Sequence, residues 1–310
     1  MKILILGATG QIGRNLLKNL VNRREELEIK SLGVTYRSNN SRLNLPSQID
    51  YFKLDIMDGS KISKIFKEIK YDVVINLLHD TSKEFNQSKE FSKKIKIMYQ
   101  NIFKIINFVD ASRVLFSSSG AVYGMNTLKK NGFDEQDINI NLKKISLTNY
   151  SKSKLYFEKK LNDWSMLNKK RSYLIFRVFS VYGEDSRKDA YHALTEFADL
   201  RRSGKDIIVK SPQTTRSYLH LDDLSDWIIK LIDHRKNLIL NFSSNNIYSM
   251  KELAKLVSST QCDYKKINFK IESDGTIPTR YFGSNYLRKS LGLKEARDFK
   301  QSIKDQINKN

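Results

Sequence analysis

The sequence contains few of the residues that mark several classes of protein. Its 310 residues include one cysteine, Cys262, and three prolines, Pro46, Pro212 and Pro278. A single cysteine excludes an intrachain disulfide and a zinc site built from several cysteines, so we expect Cys262 to be a small, partly buried side chain and expect no metal. Three prolines and 13 glycines also exclude a Pro/Gly-rich low-complexity chain.

Long apolar runs are missing as well. The first one, Ile3–Leu6, ends after four residues at Gly7. A signal peptide needs an apolar core of about 7–15 residues and a membrane span needs about 20, and we find neither here nor in a later stretch. We therefore expect a cytoplasmic protein without a membrane span.

Acidic residues are outnumbered: 34 Asp and Glu stand against 55 Lys and Arg, a formal net charge of +21. Such an excess can attract nucleic acid, an anionic membrane surface or an acidic small molecule, or it can simply form a solvated surface. The lysines are spread through every segment, and no nucleic-acid-binding module or aromatic stacking motif accompanies them. Nucleic acid is therefore not expected as a partner.

Short apolar runs alternate with helical periodicities over the first 180 residues. The predicted strands are Ile3–Leu6, Ile29–Thr35, Tyr51–Leu54, Asp72–Leu78, Val114–Ser117 and Leu174–Val178. Strands that alternate with helices predict an α/β fold, here a Rossmann-type doubly wound parallel sheet with a smaller C-terminal α/β substrate-binding lobe. We predict an NAD(P)-binding domain of residues 1–180 plus about 214–243, and a lobe of about 181–213 and 244–310.

A glycine-rich turn joins the first predicted strand to the first predicted helix. In Gly7-Ala8-Thr9-Gly10-Gln11-Ile12-Gly13, the first glycine permits the tight turn, the second lets backbone amides approach a pyrophosphate and the third lets the helix pack closely on the sheet. The spacing is GxxGxxG. We predict a dinucleotide cofactor held by Gly7, Thr9, Gly10, Gln11, Ile12 and Gly13.

The end of the second strand bears on the choice of cofactor. An acidic residue there accepts from the ribose 2′-hydroxyl of NAD, whereas an arginine suits the 2′-phosphate of NADP. This sequence has Tyr36-Arg37-Ser38 at that point and no carboxylate. We therefore predict NADP(H) in preference to NAD(H), the alternative being that Arg37 only caps a loop on a lysine-rich surface.

Tyr150 and Lys154 stand four residues apart at the start of a predicted helix, on one face. A tyrosine with a pKa near ~10 is a poor acid–base catalyst at neutral pH, but an adjacent ammonium and an oxidised nicotinamide stabilise its phenolate. The serine cluster that ends the fifth strand includes Ser119, whose hydroxyl can donate to a substrate carbonyl oxygen beside the tyrosine. Ser119, Tyr150 and Lys154 are the predicted catalytic residues.

These motifs resemble those of the extended short-chain dehydrogenase/reductases that act on nucleotide sugars, the NAD-dependent epimerase/dehydratase group. The motifs are GATGQIG, LDIMD, SSSGAVYG, YSKSK, RVFSVYG at 177–183 and RSYLHLDDL at 216–224. The resemblance extends over nearly the whole chain. It implies that Tyr150 is the acid–base, that Lys154 binds the nicotinamide ribose and that Ser119 polarises the substrate oxygen.

The resemblance also implies binding residues. The implied cofactor-binding residues include Asp55, which would contact the adenine, and Phe179, which would lie near the nicotinamide, together with Ile56, Leu77 and Leu78. The implied substrate-binding residues are Ser119, Asn101, Ser180, Arg216 and Arg280. Arg216 is expected at the substrate diphosphate because a planar guanidinium binds phosphate oxygens bidentately. Arg280 is a second and weaker candidate for the same phosphates.

Four positions depart from the family pattern. Ser180 stands where the family usually has asparagine. His79 stands where a small residue is usual, so it either titrates usefully near neutral pH or is a loop histidine turned to solvent or hydrogen-bonded. Gly120 and Ala121 stand where family dehydratases carry the aspartate and glutamate that act as acid and base. A 4,6-dehydratase is therefore not expected.

The function expected first is an NADP(H)-dependent reductase of a keto nucleotide sugar, such as a nucleoside-diphosphate 4-keto-6-deoxyhexose, with Tyr150 giving the proton. The alternative is a nucleotide-sugar epimerase that oxidises the ring transiently. A non-catalytic NADP-binding regulator is the third hypothesis. Such a protein would not need Ser119, Tyr150 and Lys154 together, so their presence counts against it. The resemblance further implies polysaccharide biosynthesis and a homodimer formed through helices near residues 86–110 and 148–168.

Overall fold

The computed structural model describes residues 1–37, 48–79, 87, 89–124, 131–138, 147–183, 193–261 and 264–308. Cys262 lies outside these ranges. The chain divides into two compact units, the first made of Met1–Val122, Ser146–Arg177 and Ile228–Leu240, the second of Tyr123–Ile145, Val178–Trp227 and Asn241–Asn310. Residues 214–227, assigned above to the cofactor-binding domain, fall in the second unit of this division; the domain assignment stays a prediction.

The described strands and helices follow one another in a mostly alternating order. The strands are β1 Lys2–Leu6, β2 Ser31–Tyr36, β3 Asp50–Lys53, β4 Val73–Asn76, β5 Arg113–Ser119, β6 Ser172–Val178, β7 Ser180–Tyr182, β8 Ile207–Val209, β9 Thr215–His220, β10 Leu238–Phe242, β11 Ile247–Ser249, β12 Phe269–Ile271 and β13 Arg280–Tyr281. The helices are α1 Gln11–Asn22, α2 Ile62–Phe66, α3 Phe91–Phe108, α4 Asn149–Met166, α5 Ala193–Arg202, α6 Leu221–Lys230, α7 Met250–Ser259, α8 Tyr286–Ser290 and α9 Phe299–Asn308.

A seven-stranded sheet forms the centre of the first unit. Its strand order is β10-β6-β5-β4-β1-β2-β3, and β1 pairs in parallel with both β2 and β4. The chain therefore reverses direction across the sheet between β3 and β4, and the carboxyl ends of β1 and β4 flank the switch point at which open α/β sheets bind their ligands. The predicted doubly wound sheet is confirmed.

One side of the long helix α3 is apolar and buried. Ile95, Met98, Ile102 and Ile105 are each less than 5% exposed and pack in the core of the first unit. Phe157 of α4 joins the same core and contacts three aromatic rings, those of Tyr99, Phe103 and Phe116. These contacts hold α3 and α4 beside β5. None of the described helices is long and apolar enough to cross a membrane.

One buried charge of the first unit is structural. The guanidinium of Arg113, at the start of β5, donates to the carbonyls of Ile232 at 2.8 Å and Leu231 at 2.9 Å and to the Ser172 hydroxyl at 3.0 Å. Burial lowers the pKa of Arg113 to about 10. The side chain thus satisfies carbonyls just beyond the end of α6, where helix carbonyls have no partner within the helix.

The second unit contains a four-stranded and a two-stranded sheet. β9 pairs with β7 and β13 in parallel and with β11 antiparallel, and β8 pairs with β12. Its core includes Leu253 and Val257 of α7 and Phe299, Ile303 and Ile307 of α9. Several of its strands have only two or three residues, which is too short for a periodic pattern in the sequence to predict them.

Candidate active site

The glycine turn lies between the end of β1 and the start of α1. Gly7 has a φ of +89°, and a Cβ there would lie 3.2 Å from the backbone nitrogen of Leu78. A Cβ on Gly13 would meet the Gly7 carbonyl oxygen and would lie 2.7 Å from Ala8 Cα. Gly10 caps α1, and the nearest atom to a Cβ there is 3.4 Å away. The turn is therefore tightly packed at Gly7 and Gly13 and leaves space at Gly10, beside the first backbone amides of α1. This space suits the pyrophosphate of a dinucleotide.

The chain after β4 lies against this turn. Leu77 N donates to Leu6 O at 2.9 Å, and Leu78 N donates to Asn76 Oδ1 at 3.1 Å. The Leu78 side chain would be 3.2 Å from a Cβ on Gly7. The two predicted cofactor contacts Leu77 and Leu78 are thus brought next to the glycine turn.

The chain after β3 carries the predicted adenine contact. Asp55 is exposed, and its carboxylate accepts from Met57 N at 2.9 Å. The carbonyl of Ile56 accepts from Asn101 Nδ2 at 2.8 Å, and Asn101 is 4% exposed. Asn101 was expected at the substrate; in the structure its amide holds the backbone next to Asp55, and a substrate contact stays a prediction. Arg37 is exposed directly after β2.

Two hydrogen bonds determine where α4 begins. Ser151 N donates to Thr148 Oγ1 at 3.2 Å, which caps the helix, and Ser151 Oγ donates to Ala121 O at 2.8 Å. Ala121 lies two residues beyond the end of β5, so the second bond joins the first helical turn to the carboxyl end of that strand. The half-buried Tyr150 is thereby placed beside Ser119, the last residue of β5.

Ser119, the last residue of β5, lies close enough to the phenol of Tyr150 for its side chain to lower the pKa of Tyr150. Ser119 Oγ accepts from Ala121 N at 3.2 Å. Burial is the larger effect, and it raises the pKa of Tyr150 above its usual value. The phenol is therefore protonated at neutral pH, and it needs a nearby positive charge to lose its proton during a reaction.

Lys154 supplies such a charge from the next turn of α4. It is 3% exposed, its Nζ donates to Ser117 O at 2.7 Å, and Nζ lies 5.7 Å from the centroid of the Tyr150 ring. Burial lowers the pKa of Lys154 to about 7, although the charge of Glu158 acts in the opposite direction. The three predicted catalytic residues are thus gathered at the carboxyl end of β5.

A buried ion pair that the sequence reasoning missed lies one turn further along α4. Arg177 Nη2 donates to Glu158 Oε2 at 2.7 Å, and the side chains are 3% and 7% exposed respectively. Ser118 Oγ donates to the same carboxylate. Two features of the sequence could have indicated this pair. Glu158 continues the spacing of four residues from Tyr150 and Lys154, and Arg177 is the only charged residue of β6.

His79 packs against the catalytic tyrosine. The centroids of the His79 and Tyr150 rings are 4.6 Å apart and the ring planes meet at 76°. Burial, and to a lesser degree the charge of Lys154, lower the pKa of His79 far below its usual value. Of the two alternatives given for His79, useful titration near neutral pH is disfavoured, because a protonated imidazole would be a second buried cation beside Lys154. The ring is only partly exposed, so it is not turned fully to solvent.

The second unit holds the predicted phosphate ligands. Register pairs Tyr281 with Arg216 and Arg280 with Thr215, so the side chains of Arg216 and Tyr281 leave one face of the sheet and that of Arg280 leaves the other. The Arg216 guanidinium lies 5.5 Å from the Tyr281 ring centroid, and its Nη1 donates to Thr279 O at 3.2 Å. Burial lowers the pKa of Arg216. Arg216 is thus held in place within its unit.

Two further predicted site residues are Phe179, which lies near Tyr281, and Ser180, which begins β7. The Phe179 ring centroid is 4.9 Å from that of Tyr281 and 6.3 Å from that of Tyr123. Ser180 is half-buried and pairs with Tyr218. The roles expected for Phe179 at the nicotinamide and for Ser180 at the substrate stay predictions.

Comparison with known proteins agrees with this geometry. The model of the family described as "NAD dependent epimerase/dehydratase" matches residues 3–243. A UDP-glucose 4-epimerase of Lactobacillus helveticus is 24% identical over 293 residues, which cover 85% of this chain and 84% of that protein.

Solved structures are similar over almost the whole chain. One UDP-glucose 4-epimerase has a TM-score of 0.81 at 18% identity and covers 99% of this chain and 97% of its own. The UDP-glucose 4-epimerase of Thermus thermophilus, solved in complex with NAD, has a TM-score of 0.77 at 18% identity, with coverage of 99% and 98%. At such identities these structures establish the fold alone.

Proposed function

Since the chain belongs to the NAD dependent epimerase/dehydratase family, we propose that it is an enzyme that oxidises and reduces a ring carbon of a nucleotide sugar. The observation that carries the proposal is the arrangement of Ser119, Tyr150 and Lys154 at the carboxyl end of β5. It combines a phenol, a serine side chain that lowers the pKa of that phenol, and a buried amine 5.7 Å from the centroid of the phenol ring. Such a site moves a proton to or from an alcohol or carbonyl oxygen.

Each residue has a defined part in this chemistry. Ser119 donates a hydrogen bond to the reacting oxygen, and Tyr150 takes the proton of that oxygen or returns it. The ammonium of Lys154 stabilises the phenolate while it exists. The hydride chemistry would be supplied by a bound nicotinamide cofactor, whose pyrophosphate the glycine turn at Gly7–Gly13 would hold.

The epimerase is the reaction we place first. The relative from Lactobacillus helveticus is a UDP-glucose 4-epimerase, and an epimerase needs no residue beyond those that the site contains. Gly120 and Ala121 follow Ser119 and carry no titratable group, which argues against water elimination by a 4,6-dehydratase. A UDP-sugar is accordingly the first substrate class to test.

The reductase of a keto nucleotide sugar is the second candidate, and Arg37 is the observation that favours it. This side chain is exposed directly after β2, where it is suited to the 2′-phosphate of NADP, and NADPH is a cellular reductant. The family description names NAD, so the preference for NADP(H) is a proposal specific to this chain.

A cofactor balance distinguishes the two reactions. We expect the enzyme to convert a UDP-hexose into its epimer, followed by NMR, with no net change in nicotinamide absorbance. Stoichiometric consumption of NADPH with a 4-keto nucleotide sugar would instead identify the reductase. The cofactor proposal is tested by the concentrations of NADP⁺ and NAD⁺ that half-activate the cofactor-free enzyme in the epimerase assay, or by the Michaelis constants for NADPH and NADH in the reductase assay. A clear preference for the cofactor without the 2′-phosphate would exclude the proposal. If neither reaction occurs, the proposed function is wrong.

Arg216 and Arg280 offer a second test, because they leave opposite faces of the same sheet. We propose that Arg216 alone binds the substrate diphosphate. Arg216→Gln should raise KM for the nucleotide sugar about 10- to 100-fold, the effect of losing charge-assisted hydrogen bonds of about 1.5–3 kcal/mol. Arg280→Gln is the matched control and should change KM by less than about threefold, because the half-buried Arg280 leaves the opposite face of the sheet from Arg216. Equal losses in the two variants would contradict the assignment.

The homodimer implied by the resemblance also stays a proposal. The two helices expected to form it, α3 and α4, contact each other in the first unit. Met166 ends α4, and Met166 and Leu167 are 75% and 78% exposed. These side chains present apolar surface at the end of the helix that a second copy of the chain would cover.

A further inference from the structure

His79 of the first unit lies between the segment that contacts the glycine turn and the ring of Tyr150. It follows Leu78, whose side chain and backbone nitrogen lie against the glycine turn, and its own ring lies against Tyr150. The short segment after β4 therefore connects the predicted cofactor cradle to the catalytic tyrosine. A small residue at this position, as the family pattern has, would leave the face of Tyr150 without that contact.

We propose that His79 is a positioning residue, whose ring fixes the phenol of Tyr150 against the segment that follows β4. The positioning of the phenol does not depend on the proposed function. Only the reaction that the positioned phenol carries out rests on it. The edge-to-face arrangement, with a centroid separation of 4.6 Å and an interplanar angle of 76°, is one that aromatic rings prefer.

The position of Tyr150 explains why such a contact is useful. Tyr150 is the second residue of α4, and first turns of helices fray. Its hydroxyl must nevertheless stay at Ser119 and its ring close to Lys154. Catalysis is sensitive to such placement, since a displacement of about 1 Å can cost about 10²-fold in rate. His79 holds the ring from the side of β4, while the Ser151 hydroxyl holds the helix backbone.

His79 performs this task without titrating. Within the described part of the first unit, the polar groups that act on the Tyr150–His79 pair include Lys154 from α4, Ser119 from β5 and Tyr99 from α3, and Glu158 lies one turn beyond Lys154. The pKa of His79 is lowered by its burial and by Lys154, so the uncharged form of the ring is favoured at neutral pH. In this proposal the imidazole exchanges no proton: it positions the phenol, whose pKa the Ser119 side chain lowers.

The test compares His79→Phe, which keeps a ring, with His79→Ala, which restores a small residue. We expect His79→Ala to lower kcat about 10- to 100-fold through misplacement of the phenol, with KM for the cofactor unchanged. His79→Phe should restore kcat to within about threefold of wild type. Its rate should rise and fall with pH at the same pH values as that of the wild type. A His79→Phe variant as impaired as His79→Ala, or one that loses a limb of the pH–rate profile, would identify an acid–base role and overturn the proposal.

A readout independent of turnover separates this proposal from the proposed function. With tyrosine isotopically labelled at Cζ, the NMR signal that disappears in Tyr150→Phe reports on Tyr150. We expect this signal to move or broaden in His79→Ala and to keep its wild-type position more closely in His79→Phe. An unchanged signal in His79→Ala overturns the positioning role. A moved signal in a protein that converts no nucleotide sugar would retain the positioning role and reject the proposed function.

Discussion

Tyr150→Phe is expected to lower kcat by about 10³-fold, within the range usually found for a lost general acid–base group. The variant keeps the ring that packs against His79 and removes only the hydroxyl whose pKa the Ser119 side chain lowers. The Kd for the cofactor, measured by fluorescence titration, should stay within about twofold of wild type, because a lost proton donor affects the transition state more than the ground state.

Tyr156→Phe is the matched control. Tyr156 lies on the same helix, partly buried, and its ring stacks at 6.1 Å on that of Tyr99 in the core. Removing its hydroxyl should leave kcat unchanged. If Tyr150→Phe turned over as fast as Tyr156→Phe, the catalytic assignment would be wrong and a non-catalytic, cofactor-binding role would become the better explanation.

The features that sequence alone predicted correctly depend on local patterns. Four apolar residues before Gly7, a helical period after it and repeated alternation of the two predict the parallel sheet and its order of elements. The motif around Tyr150 and Lys154 works in the same way, since a spacing of four places both side chains on one helical face whatever the helix packs against. In the structure both reach the end of β5.

The features that sequence missed depend on which elements meet. The position of Glu158 four residues after Lys154 and the single charge of β6 are visible in the sequence, but they do not show that Glu158 faces Arg177. Nor does the local pattern show that His79 approaches Tyr150 closely enough for burial to lower the pKa of His79. Likewise, the sequence ranks Arg216 above Arg280, but only the register of two short strands shows that their side chains leave opposite faces. Each of these is a property of tertiary packing.

The buried pair of Glu158 and Arg177 leads to the second large effect. Glu158→Gln should lower the free energy of unfolding by about 3–5 kcal/mol, because it leaves the guanidinium of Arg177 buried without its counter-charge. Urea denaturation measures the loss. Glu26→Gln is the matched control: Glu26 pairs with Arg23 on the surface, where its side chain is 61% exposed, and solvent screens that pair so that little stability depends on it.

The same substitution should alter the pH dependence of activity in a defined direction. The charge of Glu158 raises the pKa of Lys154, which burial holds at about 7. Without that charge Lys154 loses its proton at a lower pH, so the alkaline fall in activity that follows loss of the ammonium should move to lower pH in Glu158→Gln. A profile unchanged in position would show that Glu158 does not influence Lys154.

A double variant separates the ion pair from the space that it fills. In Glu158→Leu with Arg177→Met both charges are gone and the volume is largely kept, and such replacements are often neutral or stabilising. We therefore expect the double variant to recover most of the stability lost in Glu158→Gln, while the alkaline limb set by Lys154 stays displaced. A double variant less stable than the single one would show that the Ser118 hydrogen bond and the packing around the carboxylate, rather than the unpaired guanidinium, account for the loss.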